Sequence, residues 1–407
     1  MIMQQLAIDG GNALRSIPFP PWPIFGGDEI EAATRVLASG KVNYWTGDEC
    51  KEFEREFAAA FGRRFGIALA NGTVALELAL HALDIGEGDE VIVPSRTFIA
   101  TASCVMMRGA RPVVVDIDPI SGNLSAETVA PAITARTRAI IPVHMAGLPC
   151  NMEPLLSLAT RYGLHVIEDC AQSHGATYAG KPVGSFGICS AFSFCQDKIM
   201  TTGGEGGMLL TDDEVVWRRA WEYKDHGKSW DAVYGRVHPS GFRWLHESFG
   251  TNWRMTEMQA AIGRRQLEKL PDWLARRRSN ALQLLDGLTK VPGLQCPDAQ
   301  QVLGHAWYKF YVLLDLEQLS EGWGQSQVID AINAEGIPCM AGSCCEIYRE
   351  KAFVNAGIAP VGQFAGAKKW ASSSLMFLVH PTLGEQEMLD TVDVVRKVMA
   401  AATVRPY

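Results

Sequence analysis

Lys198 follows an apolar segment whose residues favour a β-strand, and it precedes a run rich in glycine. The strand-like segment carries Ser193, and four of the five residues 203–207 are glycine. A second strand-like run, 165–167, leads into an acidic pair that ends at Asp169. A lysine amine that can lose its proton and a carboxylate that can hold a pyridinium nitrogen are the minimum requirement for pyridoxal phosphate chemistry. The pattern therefore predicts this cofactor, with Lys198 and Asp169 as the catalytic residues.

The chemistry sets a condition on Lys198. The lysine has to form a Schiff base with the cofactor and then serve as the base that moves a proton, so its amine must be partly neutral at the working pH. Burial and neighbouring positive charge can lower the pKa of an amine far enough. A single lysine is usually an exposed charge, but apolar, glycine-rich surroundings are not typical of an exposed residue.

Other predicted strand ends carry candidate cofactor ligands. Gly72 and Thr73 lie between a strand and a helix, where backbone N–H groups and a hydroxyl can hold a phosphate, although an ordinary helix N-cap is the structural alternative. Phe98 begins a helix and can stack on a planar ring, although it can equally be a core aromatic. Gln172 can reach a ring hydroxyl, although it can also be a solvated polar residue. For Asp169 the structural alternative is a carboxylate on a surface loop.

The elements that would position these residues alternate between short apolar runs and helical patterns from residue 65 to residue 167. This alternation is typical of a mostly parallel sheet with helices on both faces, in which ligands bind at the carboxyl ends of the strands. We therefore predict an α/β fold whose large domain, 1–265, begins with a proline-rich arm. A smaller α+β C-terminal domain, 266–407, follows. Pro271 is predicted to separate two helices, 257–270 and 272–288.

The composition argues against several classes of protein. The chain of 407 residues has a formal net charge of −8, so it lacks the excess of lysine and arginine that nucleic-acid binding uses. The basic run 276–278 is predicted to be a solvated helix face. Ten cysteines without CxxC or metal-ligand spacing indicate reduced thiols, a cytoplasmic protein and no metal site. We expect neither a signal peptide nor a membrane-spanning segment.

In combination, these motifs resemble those of the StrS/DegT-type sugar aminotransferases, which are pyridoxal phosphate enzymes of fold type I. The matching segments occur in the family's order: 53–54 with 57–58, 71–73, Pro94 with 97–101, 166–172, Ser193 with Lys198, 204–207 and 250–256. Each motif alone is weak, but the ordered set is specific. The resemblance implies a mostly parallel, seven-stranded sheet between helices, like that of aspartate aminotransferase.

The resemblance also implies roles for particular residues. Gly72, Thr73 and Ser193 hold the phosphate, Phe98 stacks on the ring, Asp169 pairs with the ring nitrogen, Gln172 touches the ring hydroxyl and Lys198 carries the Schiff base. Asn252 reaches the phosphate of the neighbouring subunit's cofactor and Arg254 lies near its substrate, which implies a homodimer with shared active sites. Relatives with histidine at the position of the lysine resemble dehydratases, and Lys198 argues against that branch.

The implied reaction transfers an amino group from L-glutamate or L-glutamine to a nucleotide-linked keto-deoxysugar, by way of pyridoxamine 5'-phosphate, for amino-sugar biosynthesis. A cyclitol ketone of the inosose type is an alternative acceptor, and a non-catalytic regulator on the same fold is an alternative function. A nicotinamide dehydrogenase is disfavoured because no GxGxxG follows an early strand. His305, Tyr308 and His380 are candidate substrate contacts that could equally be structural. Segments 194–197 and 342–348 depart from the commonest family pattern, which leaves the substrate open.

Overall fold

Short apolar runs form the strands of the computed structural model, which describes residues 5–404. The strands are β1 (Phe65–Leu69), β2 (Glu90–Pro94), β3 (Arg111–Val115), β4 (Thr137–Ile140), β5 (His165–Asp169), β6 (Thr177–Tyr178), β7 (Lys181–Pro182), β8 (Cys189–Ser193), β9 (Gly207–Thr211), β10 (Leu294–Gln295), β11 (Phe310–Leu314), β12 (Cys339–Met340) and β13 (Ser374–Phe377). Most of them coincide with runs that the sequence predicts, to within two or three residues at each end.

Helices separate many of these strands. The helices are α1 (Gly27–Ser39), α2 (Glu49–Ala60), α3 (Gly72–Ala82), α4 (Ala100–Met107), α5 (Ala126–Val129), α6 (Met152–Tyr162), α7 (Glu214–Lys224), α8 (Glu257–Leu288), α9 (Ala299–Val302), α10 (Gln325–Ala334), α11 (Lys351–Asn355), α12 (Ala365–Ser373) and α13 (Glu385–Ala402). Gly40 ends α1 in the left-handed conformation, with φ of 68°, which glycine adopts without steric cost. None of the described helices combines the length and apolarity needed to cross a membrane.

Seven strands form the large sheet in the order β1-β9-β8-β5-β4-β2-β3. Strand β9 is antiparallel to both of its neighbours, and the other neighbouring pairs are parallel. The predicted mostly parallel, seven-stranded sheet is therefore confirmed. The parallel arrangement brings the carboxyl ends of β1, β2, β5 and β8 to one edge of the sheet, and the predicted cofactor residues follow those ends.

Successive residues of the central strands face opposite layers of helices. In β2, Val91 and Val93 belong to the core that also contains α4, whereas Ile92 belongs to the core on the other face, which contains α6. Every residue of β2 is buried, which explains why its sequence is an uninterrupted apolar run rather than an alternating one. Phe57 of α2 packs edge-to-face on Phe192 of β8, with ring centres 5.1 Å apart, and this contact holds α2 against the sheet.

The smaller C-terminal unit is built on a second sheet, whose antiparallel strands lie in the order β10-β11-β13-β12. The end of α8 together with α10 and α13 covers this sheet, so the predicted α+β character is confirmed. The boundary predicted between residues 265 and 266 falls inside α8. Leu270 of this helix packs in the core of the large unit and Leu284 packs in that of the small one, so α8 belongs to both.

Helix α8 continues through Pro271, so the prediction of two separate helices is wrong. A proline inside a helix removes one backbone hydrogen bond and crowds the preceding turn, at a cost of about 3 kcal/mol. Leu270 and Leu284 are buried on the two sides of the proline, and their packing opposes this cost. Tertiary contacts therefore override the local signal of the sequence.

Arg277 of α8 is buried, with 1% of its surface exposed, so the prediction of a solvated helix face is wrong for this residue. Its guanidinium donates hydrogen bonds to the carbonyl oxygens of Trp307 at 3.3 Å and Tyr308 at 3.2 Å, and lies 5.2 Å from the ring centre of Trp22. Burial lowers the pKa of Arg277 to about 9. The side chain thus ties α8 to the segment that precedes β11.

Candidate active site

A cavity of about 630 Å³ opens at the edge where β1, β2, β5 and β8 end. Seven of the predicted cofactor residues line it: Gly72, Thr73, Phe98, Asp169, Gln172, Ser193 and Lys198. They come from four strand ends that are distant in the sequence, and the parallel topology is what brings them together. The roles of these residues toward a cofactor stay predictions.

The predicted phosphate site lies at the first turn of α3. The Asn71 side chain accepts a hydrogen bond from the N–H of Val74 at 3.0 Å, so Asn71 is the N-cap of the helix. Gly72 and Thr73 are the first two residues of the helix, and the cap does not use their N–H groups. An anion can accept from these groups at the positive end of the helix dipole. The N-cap and the phosphate site are therefore compatible interpretations.

Gly72 allows the start of α3 to lie against the end of β8. A Cβ atom on Gly72 would lie 2.6 Å from the Cβ atom of Ser193, which is closer than two non-bonded carbon atoms approach. The Ser193 hydroxyl oxygen accepts from the N–H of Cys195 at 3.3 Å, so its own proton can be donated to an anion. Helix N–H groups and a hydroxyl thus converge on one wall of the cavity.

Gly72→Ala is expected to weaken pyridoxal phosphate binding about tenfold, because overpacking costs roughly 1–3 kcal/mol and would separate α3 from Ser193. The dissociation constant is measured by fluorescence titration of the apoenzyme. Gly27→Ala is the matched control, since an added Cβ atom at the start of α1 meets no atom within 4 Å. Equal cofactor affinity in the two variants would contradict a phosphate site at α3.

Asp169 is buried, with 5% of its surface exposed, which excludes the surface-carboxylate alternative. One carboxylate oxygen accepts from the hydroxyl of Thr101 at 2.9 Å and the other accepts from the N–H of Ala171 at 3.1 Å. Burial raises the pKa of Asp169, and these two donors oppose the rise. A protonated ring nitrogen beside the carboxylate would favour the ionised form further, so the environment suits a cationic partner.

Gln172 and Phe98 lie at the same cavity in opposite environments. Gln172 is 8% exposed, and its side-chain oxygen accepts from the N–H of Ala146 at 2.8 Å. This bond leaves the NH₂ group of Gln172 as the donor available to a ligand. Phe98 is 69% exposed, so it is not a core aromatic, and its ring is free to stack on a planar group.

The amine of Lys198 lies 3.3 Å from one carboxylate oxygen of Asp197 and 5.3 Å from the ring centre of Tyr308. The Tyr308 hydroxyl donates to the other oxygen of Asp197. The side chain of Lys198 is 18% exposed, which agrees with partial burial, but its direct partner is a carboxylate and not the positive charge that the chemistry suggests. The indole N–H of Trp22 donates to the backbone carbonyl of Lys198 at 2.9 Å, so the N-terminal arm helps to position this segment.

Asn252 and Arg254 do not line the cavity of their own chain. Asn252 is exposed, and its backbone forms a bridge with Asp225. The guanidinium of Arg254 forms an ion pair of 2.6 Å with the carboxylate of Asp225. The structure therefore shows how both residues are held, and their assignment to a neighbouring subunit's site stays a prediction.

Besides Arg254, three substrate residues are predicted, and two of these three line further cavities beside the first. Tyr308 lines a cavity of about 440 Å³ that also includes Lys198 and Asp197. His380 lines a cavity of about 590 Å³ on the other side of Asp197. The Nδ1 atom of His380 is paired with the hydroxyl of Thr382 at 2.8 Å, and burial lowers its pKa to about 3, so the ring is neutral.

His305 lies apart from these three cavities. Its ring stacks on Trp307 with centres 3.9 Å apart, and its Nδ1 atom accepts from the N–H of the same residue at 2.8 Å. Burial lowers the pKa of His305 to about 3. Its contacts therefore favour the structural alternative.

Glu168 has a structural environment although it adjoins a predicted catalytic residue. Its carboxylate accepts three backbone hydrogen bonds of 2.7 Å from residues within 184–187 and contacts the Nε2 atom of His144 at 3.1 Å. Glu168, His144 and Cys170 place candidate metal-ligand atoms within 4.8 Å of one another. Because the oxygens of Glu168 are already used by four donors, we interpret the group as a buried hydrogen-bond network.

Sequence patterns alone did not assign a role to Thr101, Asp197 or Lys309. Thr101 lies in the first turn of α4, four residues after Thr97 in the preceding bend, and their hydroxyl groups are 2.7 Å apart, so the repeated threonine was an available signal. Asp197 is a charge beside the predicted Schiff-base lysine, which was also visible. Lys309 has no local signal, because only the docking of the small unit brings it to the site.

The residues present fit pyridoxal phosphate: a phosphate cradle at Gly72, a buried carboxylate at Asp169 and a partly buried amine at Lys198 share one cavity. When bound, this cofactor supplies a carbonyl for amines and a ring that accepts electrons. The fold and the site thus define a pyridoxal phosphate enzyme of fold type I.

Residues 23–396 match the model of the DegT/DnrJ/EryC1/StrS aminotransferase family, and the chain belongs to this family. The match confirms the predicted family, cofactor and aminotransferase class. A solved structure of an aminotransferase from Psychrobacter cryohalolentis is 52% identical and has a TM-score of 0.92, covering 94% of this chain and 99% of that one.

Two curated relatives are also similar along most of their length. The dTDP-3-amino-3,4,6-trideoxy-alpha-D-glucose transaminase of Streptomyces venezuelae is 36% identical over 91% of this chain and 92% of its own. A putative L-glutamine:3-amino-2,3-dideoxy-scyllo-inosose aminotransferase of Streptoalloteichus tenebrarius is 37% identical over 82% of this chain and 79% of its own. These relatives are named for different acceptors. Overall similarity to them therefore does not identify the acceptor of this chain.

Proposed function

We propose that the protein transfers an amino group from L-glutamate or L-glutamine to the ketone of a nucleotide-linked deoxysugar. The observation that carries this proposal is the meeting of three cavities, of about 630, 590 and 440 Å³, at Asp197. Their combined space exceeds what the cofactor and a small acid need, and it suits a ligand made of a sugar and a nucleotide. The dTDP-sugar transaminase of Streptomyces venezuelae supports the same class of acceptor.

The segment 342–348 supplies part of the wall where an acceptor would lie. Gly342, Ser343 and Cys344 line the 440 Å³ cavity together with Lys198. This segment departs from the commonest family pattern, and its position beside the reacting amine supports a role in selecting the ketone. The predicted phosphate and ring-nitrogen residues Gly72, Asp169 and Ser193 do not line this cavity, so acceptor choice can change without altering them.

Amination of a cyclitol ketone is the second candidate, and the inosose aminotransferase of Streptoalloteichus tenebrarius is the observation that favours it. Thermal unfolding of the holoenzyme with UDP, dTDP or GDP separates the two. A nucleotide that binds at 100 times its dissociation constant stabilises the protein by about 2.7 kcal/mol, which shifts the melting temperature by several degrees. Protection by one nucleotide supports the sugar, and protection by none of the three supports the cyclitol.

The amino donor is tested by the visible spectrum of the holoenzyme. The absorbance band of the lysine-bound cofactor is expected to disappear with excess L-glutamate or L-glutamine and to return with the corresponding keto acid, because amino transfer occurs in two separate halves. The donor that discharges the band is the substrate. A band that neither amino acid changes would contradict the proposed donor.

We also place the reaction in the cytoplasm. All ten cysteines are free thiols, and seven of them are buried. Free thiols in this number suit a reducing compartment, where disulfides do not form. Fractionation of the source cells tests this location, and activity recovered outside the cytoplasmic fraction would contradict it.

A homodimer with shared sites is the assembly we propose. Phe242, Trp244 and Phe249 precede Asn252 and are 78%, 82% and 100% exposed. Large aromatic side chains exposed together mark a surface that a partner covers, and a second copy of the chain is the simplest partner. Docking of this surface would carry Asn252 toward the phosphate cradle of the other chain.

Mixing two inactive variants tests the shared site. Lys198→Ala and Asn252→Ala are expected to complement each other, because the mixed dimer contains one site with both wild-type residues. Random assortment of equal amounts gives about half mixed dimers, and hence about a quarter of the wild-type activity. The measurement is turnover after joint refolding or coexpression. No gain over the separate variants would place Asn252 in its own chain's site or in none.

A further inference from the structure

Lys309 precedes β11 and faces two of the three cavities. It lines the 440 Å³ cavity together with Lys198, and it also lines the 590 Å³ cavity with Trp22 and His380. Its amine lies 4.8 Å from the ring centre of Tyr308, while the amine of Lys198 lies 5.3 Å from the same centre. The two amines therefore flank one aromatic ring.

The amine of Lys309 is a partly buried cation that no carboxylate within the described residues pairs with. Within residues 5–404 it forms no ion pair and no hydrogen bond through its amine. The acidic group that attracts it is Asp197, but the oxygens of that carboxylate are engaged by Lys198 at 3.3 Å and by the hydroxyl of Tyr308. Burial lowers the pKa of Lys309 to about 8. An anion bound beside it would relieve the cost of burying its charge.

We propose that Lys309 binds a carboxylate of the amino donor. This inference rests on the proposed function, in which the donor is L-glutamate or L-glutamine. The amine of a donor would react at the cofactor carbon that Lys198 would hold as a Schiff base, and the carboxylates of the donor lie only a few bonds from its amine. Lys309 shares the 440 Å³ cavity with Lys198, so a carboxylate of a small acid that reacts at Lys198 lies in the same cavity as the amine of Lys309.

Glutarate, a dicarboxylate without an amino group, isolates binding from chemistry. Its dissociation constant from the holoenzyme is measured by calorimetry for the wild type, Lys309→Met and Lys309→Arg. Loss of one charge-assisted contact is expected to weaken binding about 10- to 100-fold in Lys309→Met, whereas Lys309→Arg keeps the charge and stays within a few-fold. Lys290→Met, at an exposed lysine after α8, is the matched control and should bind as the wild type does.

The two halves of the reaction then separate the donor from the acceptor. In Lys309→Met the apparent dissociation constant for L-glutamate is expected to rise by the same factor as that for glutarate. The apparent dissociation constant for the ketone in the second half-reaction is expected to change by a smaller factor than that for L-glutamate, because the reacting sugar ring has no carboxylate for Lys309 to bind. A melting temperature equal to or above that of the wild type shows that the variant is folded, because methionine keeps the apolar length of the side chain and removes the cost of burying the charge.

Unchanged glutarate binding in Lys309→Met overturns the inference. A defect confined to the ketone half-reaction also overturns it, because Lys309 would then bind the acceptor and not the donor. If the wild type reacts with L-glutamate and Lys309→Met reacts with the same affinity, the role of Lys309 fails and the proposed function stands. If the wild type reacts with neither L-glutamate nor L-glutamine, the proposed donor and this inference fail together.

Discussion

Lys198→Ala is expected to lower turnover by about 10³-fold or more and to abolish covalent retention of the cofactor. The substitution removes both the amine that bonds to the cofactor and the base that moves the proton. The phosphate cradle and Asp169 are untouched, so the variant should still bind pyridoxal phosphate reversibly. Loss of the amine also removes the ion pair of 3.3 Å with Asp197. The carboxylate of Asp197 then keeps its hydrogen bond from the Tyr308 hydroxyl.

Borohydride reduction followed by peptide mass spectrometry identifies the bonded lysine. In the wild type the peptide that contains Lys198 is expected to gain the mass of the reduced cofactor, and in Lys198→Ala no peptide should gain it. Lys309 is the competitor to watch, because burial lowers its pKa to about 8 and it lines an adjacent cavity. A label at Lys309 in the wild type would reassign the catalytic lysine. Lys290→Ala serves as the control and should keep full labelling and turnover.

The strands and most of the site could be predicted because their signals are local. Strand β1 is a short apolar run that ends before a polar helix start, β2 is an apolar run that ends at a proline before another helix, and β5 is an apolar run that ends at an acidic pair. The carboxyl ends of parallel strands lie at the same edge of a sheet. The inference of parallel strands therefore predicts, from the sequence alone, that Gly72, Asp169 and Lys198 lie close together. The glycine was recognisable because close backbone approach needs a residue without a Cβ atom.

The remaining features depend on contacts between distant segments. Pro271 signals a break, but burial on both sides keeps α8 continuous. Arg277 resembles its exposed neighbours in sequence, and only the docking of the segment before β11 buries it. Strand β13 follows consecutive serines, which favour turns over strands, and its pairing with β11 forms it nevertheless. The predicted role of Asn252 cannot be examined in a single chain, because it is predicted to contact the cofactor of a neighbouring subunit.

Asp169→Asn is expected to lower the rate of the donor half-reaction about 10²- to 10³-fold, the size of effect seen when one fixed electrostatic partner is lost. The amide has nearly the same shape and still offers an oxygen to the hydroxyl of Thr101 or the N–H of Ala171. What it lacks is the negative charge that keeps a ring nitrogen protonated. The fold should therefore be retained while the cofactor becomes a weaker electron acceptor.

Single-turnover absorbance with L-glutamate measures this rate, and an unchanged content of bound cofactor shows that binding is intact. Asp213→Asn is the matched control: Asp213 caps α7 by accepting from the N–H of Val215 at 2.8 Å, and asparagine caps a helix about as well as aspartate does. Equal rates in Asp169→Asn and the control would mean that the ring nitrogen needs no anionic partner. The burial of Asp169 would then have to be explained by its hydrogen bonds from Thr101 and Ala171.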